Sequence, residues 1–314
     1  MSKLAFIFPG QGSQTVGMGM DYKESYEESM VVFGQCEDVL GHDFIRLMQE
    51  GPLEQLTLTE NAQPALVTAS IAMYEVLKKE GIQPDYVSGH SLGEYSALVA
   101  TGSLSFKDAV KTVRKRGELM EQAVPKGIGA MSAVMGFDAR LLEAIIQEAK
   151  QQGQSVDIAN YNGPGQIVIS GSKEGVEFAS IKAKDAGAKR VIPLNVSGPF
   201  HSELMKPASI QFERFLKEIS MTEMTVPLVA NVTATPIEDS SAIQELLVKQ
   251  LYSPVRFEES INRMIEDGVT TFVEVGPLKV LQGLIRKINR NVTVLGVQDV
   301  EALQSTIAVL KERE

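Results

Sequence analysis

One cysteine, Cys36, excludes an internal disulfide and leaves too few thiolates for a cysteine-built metal site. It reads as a small buried hydrophobe. Imidazole is scarce as well, with His42, His90 and His201 the whole supply. No apolar run approaches the roughly 20 residues that a membrane span needs, and the first ten residues have neither the apolar length nor the cleavage pattern of a signal peptide. The expectation is therefore a cytoplasmic protein with no membrane attachment. Basic residues are outnumbered 30 to 40, and the net charge of −10 argues against generic nucleic-acid binding, which requires a basic face to displace counterions. A local basic patch still acts within a Debye length of roughly 8 Å, which leaves room for an acidic partner. Internal repeats, low-complexity segments and long charge runs are missing too.

What is present is an ordinary globular balance: 314 residues, 44% hydrophobic and 22% charged, enough for a sizeable core. Residues 4–8 read as a buried strand broken at once by Pro9-Gly10-Gln11-Gly12. Two or three helical stretches follow, including 65–80, and then a short strand at 85–89 and a helix at 92–100. Strands alternating with helices imply a parallel α/β sheet. Between 127 and 197 the rhythm changes to strand 130–135, helix 138–152 with an Asp138 cap, strands 156–161 and 166–170, helix 173–186 and strand 190–196. That βαββαβ order is the ferredoxin-like pattern. The reading is an inserted ferredoxin-like subdomain at 127–197, inside a discontinuous core of 1–126 and 198–314. The core resumes with a strand at 227–232, helices at 242–251 and 257–267, strands at 271–275 and 292–296, and a closing helix.

Gly89-His90-Ser91-Leu92-Gly93 matches the G-x-S-x-G elbow, with an apolar strand before it and helix formers after it. A sharp strand-to-helix turn crowds its flanking positions, which favours glycine there, and holds the serine at strained dihedrals. Ser91 Oγ would then stand at a helix N-terminus, where N–H groups and the dipole favour developing negative charge. The Leu92 N–H is the natural first oxyanion donor. The bland alternative is a tight turn with an N-cap serine.

A serine nucleophile needs a base. His90, next to Ser91, points its side chain away in an elbow and reads as structural; His42, in Gly41-His42-Asp43, reads as a surface residue. His201 follows Ser197-Gly198-Pro199-Phe200 after the last subdomain strand, where it can meet Ser91. No acid announces itself as the third group that holds the imidazole tautomer, and a backbone carbonyl is the open alternative. The loop Pro9-Gly10-Gln11-Gly12-Ser13-Gln14 lacks the lysine of a Walker A and the G-x-G-x-x-G spacing. It can instead bring the Gln11 N–H to the site as a second oxyanion donor, a contact typically worth roughly 3 kcal/mol of barrier. Lys111, Arg114, Lys115 and Arg116 crowd one helix and read most simply as a solvated basic face, with Gly117 allowing another segment to approach closely.

These motifs recur together in one family. Phe8-Pro9-Gly10-Gln11-Gly12-Ser13-Gln14, Gly89-His90-Ser91-Leu92-Gly93-Glu94, Arg116-Gly117, Pro199-Phe200-His201-Ser202, Gln250-Leu251-Tyr252-Ser253-Pro254-Val255 and Glu274-Val275-Gly276-Pro277 resemble the bacterial malonyl-CoA:acyl carrier protein transacylases of type II fatty acid synthesis. Acyltransferase domains of polyketide synthases are relatives of that family. The resemblance spans essentially the whole chain, and Leu278 is its small departure, where glycine is usual. It implies an α/β-hydrolase-like core with a ferredoxin-like insertion. It also implies Ser91 as the acylated nucleophile and His201 as base, with the backbone carbonyl of Gln250 as the third group. Gln11 with Leu92 would form the oxyanion hole, and Arg116 would clamp the free malonyl carboxylate. Malonyl-CoA would be the first substrate and the phosphopantetheine thiol of acyl carrier protein the second, with no permanently bound cofactor and no metal. A monomer is the default expectation. Docking of the acidic carrier would need basic residues such as Lys182, Lys184, Lys189 and Arg190, or Arg286, Lys287 and Arg290. The competing readings are a serine esterase or thioesterase sharing the elbow, an acyltransferase of other acyl specificity, and a non-enzymatic carrier-binding scaffold.

Overall fold

The computed structural model describes residues 2–125 and 127–312; the remaining positions, including the expected end of the first core segment at 126, lie outside the described residues. Ten strands are found there: β1 (Lys3–Phe8), β2 (Tyr86–Gly89), β3 (Gly129–Met135), β4 (Val156–Gly163), β5 (Gln166–Ser172), β6 (Arg190–Pro193), β7 (Leu228–Val229), β8 (Pro236–Ile237), β9 (Val269–Glu274) and β10 (Thr293–Gly296). They form two sheets. One has the order β10-β9-β1-β2-β7-β8, parallel except for the short β8; the other, β4-β5-β3-β6, is antiparallel throughout.

The parallel sheet is covered on both faces, as its crossover connections require. Successive side chains of β1 point to opposite sides. Phe6 and Phe8 enter a core with the helices Glu27–Leu40, Thr59–Lys79 and Phe106–Gln122, while Ala5 and Ile7 face the helices Phe257–Glu266 and Val280–Ile288. The antiparallel sheet has its own core, where Val134, Ile169 and Val156 pack on Leu142 and Ile146 from one helix and Val176 and Ala179 from the other. Its strand order is that of a ferredoxin-like unit. Edge strand β4 is tied to the rest of the molecule by two backbone hydrogen bonds around Val255: Tyr161 N–H to the Val255 carbonyl, 2.9 Å, and Val255 N–H to the Ala159 carbonyl, 2.8 Å.

Three local expectations need correction. Five helices, not two or three, separate β1 from β2, because Gly41 and Gly51 at positive φ break the run into short pieces. The long one starts at Thr59, six residues before the expected 65, and carries Pro64 inside it, where the Glu60 carbonyl that loses its helix partner accepts from the Arg114 guanidinium instead (3.1 Å). The strand expected at 227–232 is only Leu228–Val229, since the chain turns away to send Asn231 toward the elbow. The helix Lys206–Leu216 had no counterpart in the sequence reading. Among the described residues no helix is long and apolar enough to cross a membrane. Cys36 is fully buried, and burial raises its thiol pKa to about 11.

Topology delivers the site. β1 and β2 are parallel neighbours in the middle of the sheet with Phe8 opposite Gly89, so the loop after β1 and the elbow after β2 emerge side by side at the carboxyl ends of the strands. The crossing is tight enough to dictate glycine. A Cβ on Gly89 would lie 1.9 Å from the Gly93 carbonyl carbon, one on Gly93 2.0 Å from the Phe8 carbonyl oxygen, and one on Gly10 2.4 Å from the His90 carbonyl oxygen. Gly93→Ala is therefore expected to destabilise the fold by at least about 3 kcal/mol, because backbone rather than a pliant side chain must yield. Urea or thermal melts check this, and a wild-type midpoint would contradict it.

Candidate active site

The elbow holds Ser91 at φ 51°, a left-handed conformation rare outside glycine. Asn231 straps it there: its Oδ1 accepts from the Ser91 N–H at 2.7 Å and its Nδ2 donates to the Gly89 carbonyl at 2.6 Å. The second left-handed residue of the site is His201, at φ 60°. Its Nε2 lies 2.8 Å from Ser91 Oγ and its Nδ1 2.8 Å from the Gln250 carbonyl oxygen. A carbonyl only accepts, so Nδ1 carries the proton and Nε2 is left as the acceptor for the serine hydroxyl. Burial, reinforced by the positive charge of Arg116, depresses the imidazole pKa to about 3. The ring is neutral at physiological pH.

Arg116 is not on a solvated face. Gly117 lets the helix Phe106–Gln122 approach Thr59 and Glu60 so closely that a Cβ would lie 2.7 Å from the Glu60 Cα. This turns the arginine inward, 1% exposed. One terminal nitrogen donates to Gln63 Oε1 (2.9 Å), the other to Gln250 Oε1 (2.9 Å) and Ser91 Oγ (3.2 Å), and the guanidinium stands 5.5 Å from the Tyr95 ring centroid. Among the described residues its Nε has no partner and no carboxylate lies within ion-pairing distance. Its neighbours Lys111, Arg114 and Lys115 do form the expected surface, paired with Asp108 and Glu118.

Ser91, His201 and Arg116 meet in a cavity of about 190 Å³. Gln11 and Leu92 line it, and among the described residues no acceptor engages either backbone N–H. Phe200, Met120 and Met131 make its apolar wall, and Asn160 and the stretch 194–196 its rim on the side of the antiparallel sheet. A larger groove of about 550 Å³ lies elsewhere, between the helices Lys206–Leu216 and Ile243–Gln250, and holds no serine–histidine pair. His90 is half-buried at the cavity wall, bonded through Nε2 to Asn162 Oδ1 at 2.7 Å, and His42 is exposed beside Glu37.

The structure thus gathers all six residues expected from the sequence: Ser91, His201, Gln250, Gln11, Leu92 and Arg116. Sequence reasoning missed Asn231, Gln63 and the side chain of Gln250. Asn231 had one faint signal, a polar residue closing an apolar stretch; the two glutamines had none.

A model of the acyl transferase domain matches residues 5–307. The chain belongs to the acyl transferase domain family. Within it, the malonyl CoA-acyl carrier protein transacylase of Bacillus subtilis (strain 168) is 54% identical over 312 residues, covering 99% of this chain and 98% of that one. An acyl carrier protein S-malonyltransferase from Vibrio cholerae superposes with a TM-score of 0.95 at 44% identity, over 97% of this chain and 100% of that one. A malonyl-transacylase solved in complex with a type II PKS acyl-carrier protein has a TM-score of 0.95 at 42% identity, over 98% of this chain and 100% of that one. In this acyl transferase the α/β fold, with one largely parallel and one antiparallel sheet, is shared with the solved structures.

The depressed His201 pKa has a defined sign. Stability from the buried neutral ring is complete above the ordinary value of 6.5 and is lost as pH falls toward 3, because only the unfolded chain takes up the proton. The His201 imidazole resonances should therefore not titrate between pH 8 and pH 5. NMR of histidine-labelled protein checks this, and a midpoint between 6 and 7 would contradict the desolvated site.

Proposed function

We propose that this enzyme moves malonyl groups from malonyl-CoA to the phosphopantetheine thiol of acyl carrier protein through a malonyl ester on Ser91, supplying malonyl-carrier for fatty acid synthesis. The observation that carries the acyl choice is Arg116: a guanidinium buried beside the nucleophile with no carboxylate of its own among the described residues. A charge so placed is costly unless a ligand completes it. A carboxylated acyl group does so bidentately, where an acetyl group offers only methyl. The transacylase names of the relatives support the same substrates.

In the first half-reaction Ser91 Oγ attacks the thioester carbonyl carbon while His201 Nε2 takes the hydroxyl proton. The tetrahedral oxyanion is held by the N–H groups of Gln11 and Leu92. Collapse breaks the carbon–sulfur bond, the imidazolium returns the proton to the departing sulfur, and CoA leaves as the thiol. The carrier's pantetheine thiol then repeats these steps in reverse on the acyl-serine, which gives ping-pong kinetics. The Gln250 carbonyl keeps His201 in the tautomer that both halves need. Pairing Arg116 with the acyl carboxylate also cancels part of the positive field that holds His201 down, so the base strengthens when the right acyl group is bound.

On this reading the core is 1–126 with 198–314, the insertion 127–197, and the active site lies where they meet. The enzyme works as a monomer in the cytoplasm, without a resident cofactor or metal. Of the carrier-docking candidates, Lys182 is paired with Glu148 and Arg286 donates to the Val294 carbonyl, while Lys184, Lys189 and Arg190 stand exposed for an acidic partner. A serine esterase, the rival reading, has no use for the buried cation.

Arg116→Ala should lower the ratio of malonyl-CoA to acetyl-CoA kcat/KM by roughly a hundredfold or more. Rates of CoA release with each thioester check this, and an unchanged ratio would remove Arg116 from acyl selection.

A further inference from the structure

Glu94 closes the elbow motif, yet the mechanism leaves it unused. It is 1% exposed, in the first turn of the helix Gly93–Ala100. A first-turn acid ordinarily serves the helix's own N-terminal N–H groups, but this carboxylate reaches elsewhere. Oε1 accepts from the Asn231 backbone N–H at 3.0 Å, and Oε2 accepts a close hydrogen bond from Gln250 Nε2. The Gln250 side chain, itself fully buried, is thereby given a direction: Nε2 faces Glu94 and the Ser91 carbonyl (2.9 Å), and Oε1 faces Arg116 (2.9 Å).

The amide has two orientations of nearly the same shape, and only one is compatible with these neighbours. Flipped, Gln250 would set its oxygen against the Glu94 carboxylate and the Ser91 carbonyl, and its NH₂ against the guanidinium. Buried acceptor–acceptor and donor–donor contacts are costly. We infer that Glu94 is the positioning residue of the carboxylate clamp, acting through the Gln250 amide to aim the Arg116 guanidinium at the acyl carboxylate. This rests on the proposed role of Arg116 and extends it. Glu94 does not touch the reacting atoms. It sets which face of Gln250 the arginine meets, from a position that the substrate does not need.

Glu94→Gln keeps the shape and removes the second acceptor. Its amide cannot both accept from the Asn231 N–H and accept from Gln250 Nε2, so Gln250 loses its direction. The expected result is a fall of roughly tenfold in kcat/KM for malonyl-CoA, the worth of one hydrogen bond to a charged group. Most of it should be in KM. The acetyl-CoA rate and the labelling rate of Ser91 by diisopropyl fluorophosphate, a neutral probe of the serine–histidine pair, should stay within about twofold. Malonyl, acetyl and probe rates falling together with the malonyl/acetyl ratio intact would make Glu94 a strap of the elbow and overturn the inference, as would no change at all. Should the glutamine variant not fold, Glu94→Asp, one methylene too short to span Asn231 and Gln250, is read on the same ratio. A several-fold fall is expected, and a wild-type ratio counts against the inference. Arg116→Ala measured alongside separates the two claims: if it keeps the wild-type ratio, the clamp itself is wrong. If it loses the ratio while Glu94→Gln keeps it, only the role of Glu94 fails.

Discussion

A guanidinium held out of water, with no carboxylate of the described residues beside it, is the constraint around which this molecule is organised. Desolvation opposes the charge on Arg116, and the fold answers with neutral oxygens from Gln63, Gln250 and Ser91, the face of Tyr95, and Glu94 one residue removed. None of these neutralises the cation by direct contact. The same positive field reaches the dyad, where it adds to the burial that keeps His201 neutral, and Glu94, whose carboxyl pKa burial raises to about 7 in spite of it. Stability linked to that raised acid is complete below its ordinary 4.5 and declines as pH rises toward 7, the opposite slope to that of His201. The site is thus poised on the acid and alkaline sides by different groups.

Rigidity at Ser91 comes from backbone more than from side chains. Three parallel strands end side by side, and each sends out one part: β1 the Gln11 loop, β2 the elbow, β7 the Asn231 strap. Ser91 and His201 both sit in left-handed conformations, which hold only where surrounding contacts outweigh their local preference. The carbonyl of Gln250, at the end of a helix, takes the place of the acid that such a histidine usually has. A neutral acceptor stabilises an imidazolium less than a carboxylate does. That suits a thioester exchange, where the leaving thiol is far more acidic than an amine.

Much of this was legible in the sequence, for identifiable reasons. Glycines at 89 and 93 and the apolar β2 announced the elbow because backbone crowding leaves no other residue type there. The βαββαβ order was readable because strand and helix patterns alternate cleanly there and Asp138 caps the first helix. Arg116 read most simply as surface, since its helix carries four cations in six positions and only a close approach at Gly117 reveals which one turns inward. Asn231, Gln63 and the amide direction of Gln250 were not legible. Their roles depend on contacts between residues 53 to 159 positions apart, which no local pattern records.

The central claim is a malonyl ester on Ser91 that water does not discharge and a carrier thiol does. Intact mass of the protein after brief mixing with malonyl-CoA, beside a Ser91→Ala control, tests it most directly. A malonyl-sized adduct on the unmodified chain alone, removed by holo acyl carrier protein, is the predicted result. Free CoA without an adduct, or an adduct that persists on the Ser91→Ala protein, would contradict it.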